Sequence, residues 1–322
     1  MRSRRSLMQD GGSTEYERSS NPPVRGAQDG QKMGRKMGLF LDAIKFHESI
    51  FALPFAYTGM ILAAWTESEA VRWYPTLHQF IWITVAMVGA RTVGMAANRI
   101  IDRHIDAQNP RNASRHLPSG KLSMRDMTLL TLVAFAVLIF AAYQLNTLAL
   151  ALAPVAVAYL IFYPYTKRFT WASNLLLGWA LAIAPSAAWI GVAGSLPWQS
   201  VLLSLAVALW AGSFDILYHT QDYDFQKQTG LHSIASRFGV VGAFWWARVM
   251  DGLALIALIV LGVWLAIGWP YYIGIALAAG FLIYKHRLVS PDDLSSLGMA
   301  FFRINAYVST TMFTATLIAV LI

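Results

Sequence analysis

Three features of the sequence predict an all-α, polytopic membrane protein. Hydrophobic residues fill 57% of the 322 positions and charged ones only 13%, far from the balance of a soluble domain. The apolar residues gather into nine segments, most of them near the roughly 20 residues a spanning helix needs. Positive charge falls mainly in alternate connections between those segments. The segments do not alternate apolar with polar residues as barrel strands do, so helices are the expected way of satisfying the backbone in lipid.

The elements follow in order. Residues 1–38 carry eight Lys or Arg against four Asp or Glu and little apolar material, which predicts a disordered basic cytoplasmic tail touching anionic lipid. This stretch lacks the short apolar core of a signal peptide and is expected to be retained. The membrane domain is expected to occupy 39–322. Its nine spans are expected at 44–65, 77–98, 127–144, 147–165, 172–192, 200–219, 240–266, 269–284 and 299–321.

Between the second and third spans lie Arg99, Arg103, Arg111, Arg115, Lys121 and Arg125. Lys167 and Arg168 follow the fourth span, Lys227 and Arg237 the sixth, and Lys285 and Arg287 the eighth. The intervening connections "GVAGSLPWQS" and "IGWP" have no base, and Arg72 is the one base on the opposite side. The positive-inside rule then makes the N-terminus and the basic loops cytoplasmic, with the C-terminus outside. Cysteine is absent, which excludes disulfides and thiolate metal sites. No nucleic-acid partner is expected.

The chemistry concentrates at the basic side. Asn98, Asp102 and Asp106 stand at steps of four and share one helix face. A second cluster, "DILYHTQDYDFQ", sets Asp215 and Asp222 seven apart, with Asp224 where the helix ends. An aspartate at mid-membrane costs roughly 2.5–3.5 kcal/mol on insertion scales, less near the interface. Repeating that cost on two helices implies that the carboxylates converge on a positive ligand. Clustered carboxylate and amide oxygens without sulfur suit Mg²⁺, which binds carboxylates together with substrate phosphates.

Carboxylates alone would repel a phosphate, yet Arg111, Arg115, Lys121, Lys167, Arg168 and Arg237 crowd the same side. Metal ions bridging to a diphosphate clamped by these bases would balance both signs. Each base taken singly is equally well read as a topology signal. A site of this kind at the lipid boundary implies a substrate with an apolar tail, such as a polyprenyl diphosphate. Aromatic side chains would face the cation that develops at its allylic carbon.

These residues resemble a known family. Asn98, Asp102 and Asp106, followed by "RHLPSG" at 115–120, are similar to the first signature of the UbiA superfamily of intramembrane prenyltransferases. "YPYTKR" at 163–168 resembles the end of its fourth helix, and "QDYDFQKQTGLHSIASRFG" at 221–239 its second aspartate region. "KFHESIFALPFAYTG" at 45–59 resembles the first helix of the 4-hydroxybenzoate polyprenyltransferase-like branch, which includes the prenyltransferase of the futalosine route to menaquinone.

The resemblance implies a bundle of nine transmembrane helices in a prokaryotic cell membrane. It implies Mg²⁺-dependent transfer of a polyprenyl group to a hydroxybenzoate- or dihydroxynaphthoate-type acceptor in ubiquinone or menaquinone biosynthesis. Asn98, Asp102 and Asp106 would bind one Mg²⁺, and Asp222 would contribute to a second. Arg115, Lys121, Lys167 and Arg168 would face the diphosphate. Asp215 and Tyr218 would lie near the acceptor or the reacting carbon. An acceptor carboxylate would pair with Arg91, Arg99 or another base.

Two positions depart from the family pattern. Where a D-xxx-D motif would place a second aspartate this chain has Gln226, so that metal would use Gln226 or Asp224. The branch also often reads Glu-His where this chain has His47-Glu48. Other readings of the residues are a UbiA-type enzyme with a tetrapyrrole or glycerol phosphate acceptor, a CDP-alcohol phosphatidyltransferase and a cation-coupled transporter. The single Asp-Gly…Ala-Arg motif of the phosphatidyltransferases is missing. A transporter would carry polar residues across the whole bilayer.

Overall fold

The computed structural model describes residues 25–45, 53–67 and 74–322. Helices α1 (Arg25–Ala43), α2 (Leu53–Thr66), α3 (Leu77–Gln108), α4 (Met124–Leu145), α5 (Thr147–Phe162) and α6 (Ser173–Ala193) are followed by α7 (Trp198–His219) and α8 (Tyr223–Thr229). The remainder comprises α9 (Ile234–Trp264), α10 (Trp269–Leu288), the single turn α11 (Leu297–Met299) and α12 (Asn305–Leu321). Short 3₁₀ segments, Tyr163–Arg168 and Thr220–Asp222, follow α5 and α7, and a π-helical stretch, Ala300–Ile304, precedes α12.

Seven helical stretches among the described residues are long and apolar enough to cross a membrane, and the chain is an integral membrane protein. The expected count of nine is not confirmed. Within the first expected span, 44–65, residues 46–52 lie outside the described residues and the described helix is the 14-residue α2, while α10 closes on Lys285, His286 and Arg287. Of the stretch expected as a tail, 1–38, residues 25–38 belong to α1 and residues 1–24 lie outside the described residues. Phe40 and Ile44, at the end of α1, pack on Ala96, Leu122 and Met127, and Lys36 reaches Asp126 at 2.9 Å.

Helix α3 opens with a reciprocal cap. The Gln79 N–H donates to Thr76 Oγ1 at 3.1 Å, and the Thr76 N–H donates to Gln79 Oε1 at 2.9 Å. Its 32 residues make a rod about 48 Å long at 1.5 Å per residue. The hydrocarbon core is about 30 Å thick, so the helix is about a dozen residues longer than one crossing needs. Its C-terminal end carries Asn98, Asp102 and Asp106 and continues to Gln108.

Helix α7 is the most enclosed span, with 78% of its most apolar stretch buried. It packs between α6 and α9, while α3 pairs with α4, α2 with α6, and α10 with α12. The main core gathers Phe55, Leu62, Trp189, Leu203, Val207, Trp210, Leu258, Leu261 and Met312 around it. Lipid gives helices no hydrophobic reason to associate, so small residues that let backbones approach become decisive. A Cβ built at Gly178 on α6 would overlap the Ala208 carbonyl oxygen of α7, and one at Gly59 on α2 would overlap the Pro185 carbonyl oxygen of α6. Gly178→Ala is therefore expected to push α6 from α7 and lower the thermal unfolding midpoint in detergent. Gly252→Ala, with nothing within 4 Å of its added Cβ, is expected to leave that midpoint unchanged or raise it.

A buried polar knot joins α7, α9 and α10. The Lys285 side chain, 1% exposed, sets Nζ 2.6 Å from Asp251 Oδ2 and 3.3 Å from Ser213 Oγ. His286 Nε2 lies 2.7 Å from the same Asp251 oxygen. Ser213 is two residues from Asp215 on the helix that reaches the site.

Near the site the chain turns sharply. Gly230, at φ 69°, closes α8 in the left-handed conformation that glycine adopts without a Cβ penalty. Ser233 then caps α9, accepting from the Ser236 N–H at 3.0 Å. Gly239, at φ 76°, breaks the helical run and separates a short first segment from the long span of α9.

Candidate active site

The polar ends of α3 and α7 meet across a pocket of about 230 Å³. Asn98, Asp102, Asp106, Asn109, Arg111 and Arg115 come to its wall from the α3 side. Asp215, Tyr218 and His219 come from α7, Asp222 from the 3₁₀ turn after it and Gln226 from α8, with Lys167 from the 3₁₀ segment after α5 and Asn174 from the start of α6. Asp102 and Asp106 of the first cluster and Asp215 and Asp222 of the second thus line one space. Asp102 is 1% exposed and Asp106 3%, with Asp215 at 4% and Asp222 at 6%.

Each acid is held by donors. Asp102 receives Lys167 Nζ at 2.5 Å, Arg168 Nη2 at 3.3 Å and Asn98 Nδ2 at 3.0 Å. Arg115 Nη1 donates to both oxygens of Asp106 at 2.7 Å. Asp222 accepts Asn109 Nδ2 at 2.9 Å and Arg111 Nε at 3.0 Å, and the Arg111 Nη2 atom closes a bidentate pair on its other oxygen. The Arg111 guanidinium also covers the Tyr218 ring, 4.9 Å from its centroid. Partial burial opposes the Arg111 charge, but the hydrogen bond and charge of Asp222 outweigh it and raise its pKa above the usual arginine value.

Asp215 is embedded differently. Asn174 Nδ2 donates to its Oδ2 at 2.8 Å, and His219 Nδ1 lies 3.0 Å from the same oxygen. The Asn174 amide is oriented by the Ile234 N–H, which donates to its Oδ1 at 3.0 Å.

Several expected site residues sit elsewhere. Lys121, just past the positive-φ Gly120, is exposed and outside the pocket wall, as is Arg237. Asp224 points away from the pocket because the 3₁₀ turn Thr220–Asp222 resets the helix phase after α7. Gln226 is in the wall, but its Oε1 accepts the Ser233 hydroxyl at 2.5 Å and helps hold the start of α9. Arg168 reaches Asp102 from outside the wall. Arg99 is in the wall, with its Nε donating to the Ala43 carbonyl at 3.1 Å. His47 and Glu48 lie outside the described residues.

Asn109, His219 and Asn174 are among the wall residues that the sequence reading did not name. Asn109 caps the end of α3 three positions after Asp106, off the steps of four that mark the first cluster. His219 stands four after Asp215. Asn174 had no sequence signal, because its partner is 41 positions away.

A second, apolar cavity of about 520 Å³ lies beside the polar pocket, enclosed by α3, α4, α5 and α6. The two share Arg91, Met95, Tyr163 and Leu181. Part of the apolar wall reaches the exposed surface at Val155, Trp179 and Leu196.

Among the described residues no three of His, Cys, Asp or Glu are grouped to hold a metal ion by themselves. The wall nevertheless offers carboxylate and amide oxygens from Asn98, Asp102, Asp106, Asn109 and Asp222 in one pocket without sulfur. That donor set fits a hard divalent cation completed by substrate oxygens.

The model of the UbiA prenyltransferase family matches residues 52–307. The chain belongs to the UbiA prenyltransferase family. It is therefore a prenyltransferase, which sets aside the phosphatidyltransferase and transporter readings. It is 32% identical over 266 residues to the 4-hydroxybenzoate octaprenyltransferase of Aliivibrio fischeri, covering 80% of this chain and 90% of that one. Against the Vibrio cholerae enzyme of the same name the identity is 30%, with 80% and 89% covered. Among solved structures, the UbiA homolog of Aeropyrum pernix K1 superposes with a TM-score of 0.74 at 30% identity, covering 85% of this chain and 98% of that one. A UbiA homolog from Archaeoglobus fulgidus bound to DMAPP and Mg²⁺ shares the fold, at a TM-score of 0.62 and 17% identity, with 85% and 98% covered.

Proposed function

We propose that this UbiA-family chain transfers a polyprenyl group from a polyprenyl diphosphate to the ring of an aromatic acid, with Mg²⁺, in quinone biosynthesis. The observation that carries this reading is the junction of the two cavities. An apolar chamber opening toward lipid suits a long prenyl chain, and the adjoining polar pocket, rich in acids and bases, suits its diphosphate. The reacting allylic carbon would then lie near the shared wall at Arg91 and Tyr163. The 4-hydroxybenzoate octaprenyltransferases that resemble the chain support the acceptor class.

Asp102, Asp106 and Asp222, with Asn98 and Asn109, would hold Mg²⁺, which when bound supplies positive charge to the leaving diphosphate. Lys167, Arg168, Arg115 and Arg111 now neutralise these acids. They would turn to the phosphate oxygens when the carboxylates take up cation, so neither sign is left buried alone. Arg91, in the wall shared by the two cavities, would pair with the acceptor carboxylate. The distribution of bases further supports a site and N-terminus on the cytoplasmic side of a prokaryotic inner membrane, with the C-terminus outside.

The test uses purified protein in lipid nanodiscs with a polyprenyl diphosphate, 4-hydroxybenzoate or a dihydroxynaphthoate, and Mg²⁺. The expected result is a prenylated acid identified by mass, formed with one diphosphate released per product. Chelation with EDTA is expected to stop it, and added Mg²⁺ to restore it. No product with either acceptor, but prenylation of glycerol phosphate, would overturn the aromatic reading.

A further inference from the structure

We infer that His219, held by Asp215 and Asn174, is the base that takes the proton from the acceptor ring; this rests on the aromatic prenyl-transfer reading. The ring of His219 lies in the wall of the polar pocket beside Tyr218. Its Nδ1 faces two acceptors, Asp215 Oδ2 at 3.0 Å and the Asp215 carbonyl oxygen at 3.1 Å. Asn174 Nδ2 is 3.1 Å from Nδ1 but closer to the carboxylate, at 2.8 Å, and the Ile234 N–H fixes the amide's orientation. Two acceptors around Nδ1 assign the proton of the neutral ring to that nitrogen. The lone pair then sits on Nε2, for which no hydrogen-bond partner occurs among the described residues. A carboxylate behind one imidazole nitrogen sets the tautomer and stabilises the imidazolium that forms when the other accepts a proton.

The chemistry has a place for such a base. When the C1–O bond of the prenyl diphosphate breaks, its electron pair leaves on the diphosphate. The acceptor ring supplies the pair for the new bond from ring carbon to C1. That carbon then carries a proton which must leave for the ring to regain aromaticity, and the C–H pair returns to the ring as Nε2 takes the proton. Asp215 has one oxygen occupied by Asn174 and His219 and serves as the positioning residue. The other paired acids of the pocket are held by Lys and Arg here and would be committed to Mg²⁺ in the loaded enzyme, so neither state leaves them as proton acceptors.

The experiment compares the unaltered chain with His219→Ala, using acceptor acid deuterated or not at the ring carbon that is prenylated. For the unaltered chain, turnover is expected to be insensitive to deuterium, because proton removal from the ring cation follows the slow step. For His219→Ala, kcat is expected to fall on the order of a hundredfold with the KM values little changed. A primary isotope effect should appear as proton loss becomes limiting, and exogenous imidazole should restore part of the rate. Monodispersity by size exclusion and retained prenyl-diphosphate binding establish that the variant is folded. Unchanged kcat, or a slowed enzyme with neither isotope effect nor imidazole rescue, would overturn the assignment. If the unaltered chain prenylates no aromatic acid, the functional reading fails and this inference with it, a result distinct from failure of the histidine alone.

Discussion

Asp102→Ala is expected to lower prenyl transfer by on the order of a thousandfold, the scale seen when a group stabilising transition-state charge is removed. Asp102 is 1% exposed and takes Lys167, Arg168 and Asn98 on its two oxygens. Alanine removes a proposed Mg²⁺ ligand and also leaves two cations in the pocket without their counter-charge. Asp102→Asn separates these effects, since it keeps the shape and one acceptor oxygen but removes the charge. It is expected to be nearly as inactive, with the fold retained. Asp224→Ala and Lys121→Ala are expected to stay within about twofold of the unaltered rate, as exposed substitutions away from such networks usually do little. Diphosphate release measures all four. Turnover retained by Asp102→Ala would remove the carboxylate from the chemistry.

Asp251→Ala is expected to produce the largest loss of stability, about 3–5 kcal/mol, because it leaves Lys285 buried and unpaired. The carboxylate of Asp251 also receives His286, so one substitution strips two partners on α10 at once. Removing both charges has a different sign of effect. A buried ion pair is often no more stable than an apolar pair of similar volume, so the double variant Asp251→Leu with Lys285→Met is expected to recover most of the loss. Thermal unfolding of the detergent-solubilised protein, read by scanning fluorescence, checks both. Equal midpoints for Asp251→Ala and the unaltered chain would mean that the pair contributes nothing.

The helical membrane class was readable because it rests on local chemistry, namely apolar length and the placement of Lys and Arg. The first acidic face was readable for the same reason: Asn98, Asp102 and Asp106 obey one period, and α3 continues unbroken through them. Reading failed where the backbone leaves that period. Asp224 follows a 3₁₀ turn and Lys121 follows a positive-φ glycine, so being near a motif along the chain did not bring either to the pocket. Gln226 illustrates a different limit. Its oxygen is occupied by Ser233, seven residues on, through a turn whose geometry composition does not reveal. Asn174 and the Asp251–Lys285 pair depend on contacts between helices distant in sequence, and no local pattern encodes them.

The apolar chamber reaches the outer surface of the spans at Val155 and Trp179, the face that an integral membrane protein turns to lipid. A prenyl chain entering there never travels through water, so its supply is set by how many copies share each patch of bilayer. Diluting the lipid with inert lipid at fixed total volume slows encounter, whereas diluting the suspension with buffer does not. On the proposed reading the aromatic acid arrives from water and obeys the opposite rule, so the protein would join a two-dimensional reservoir to a three-dimensional one.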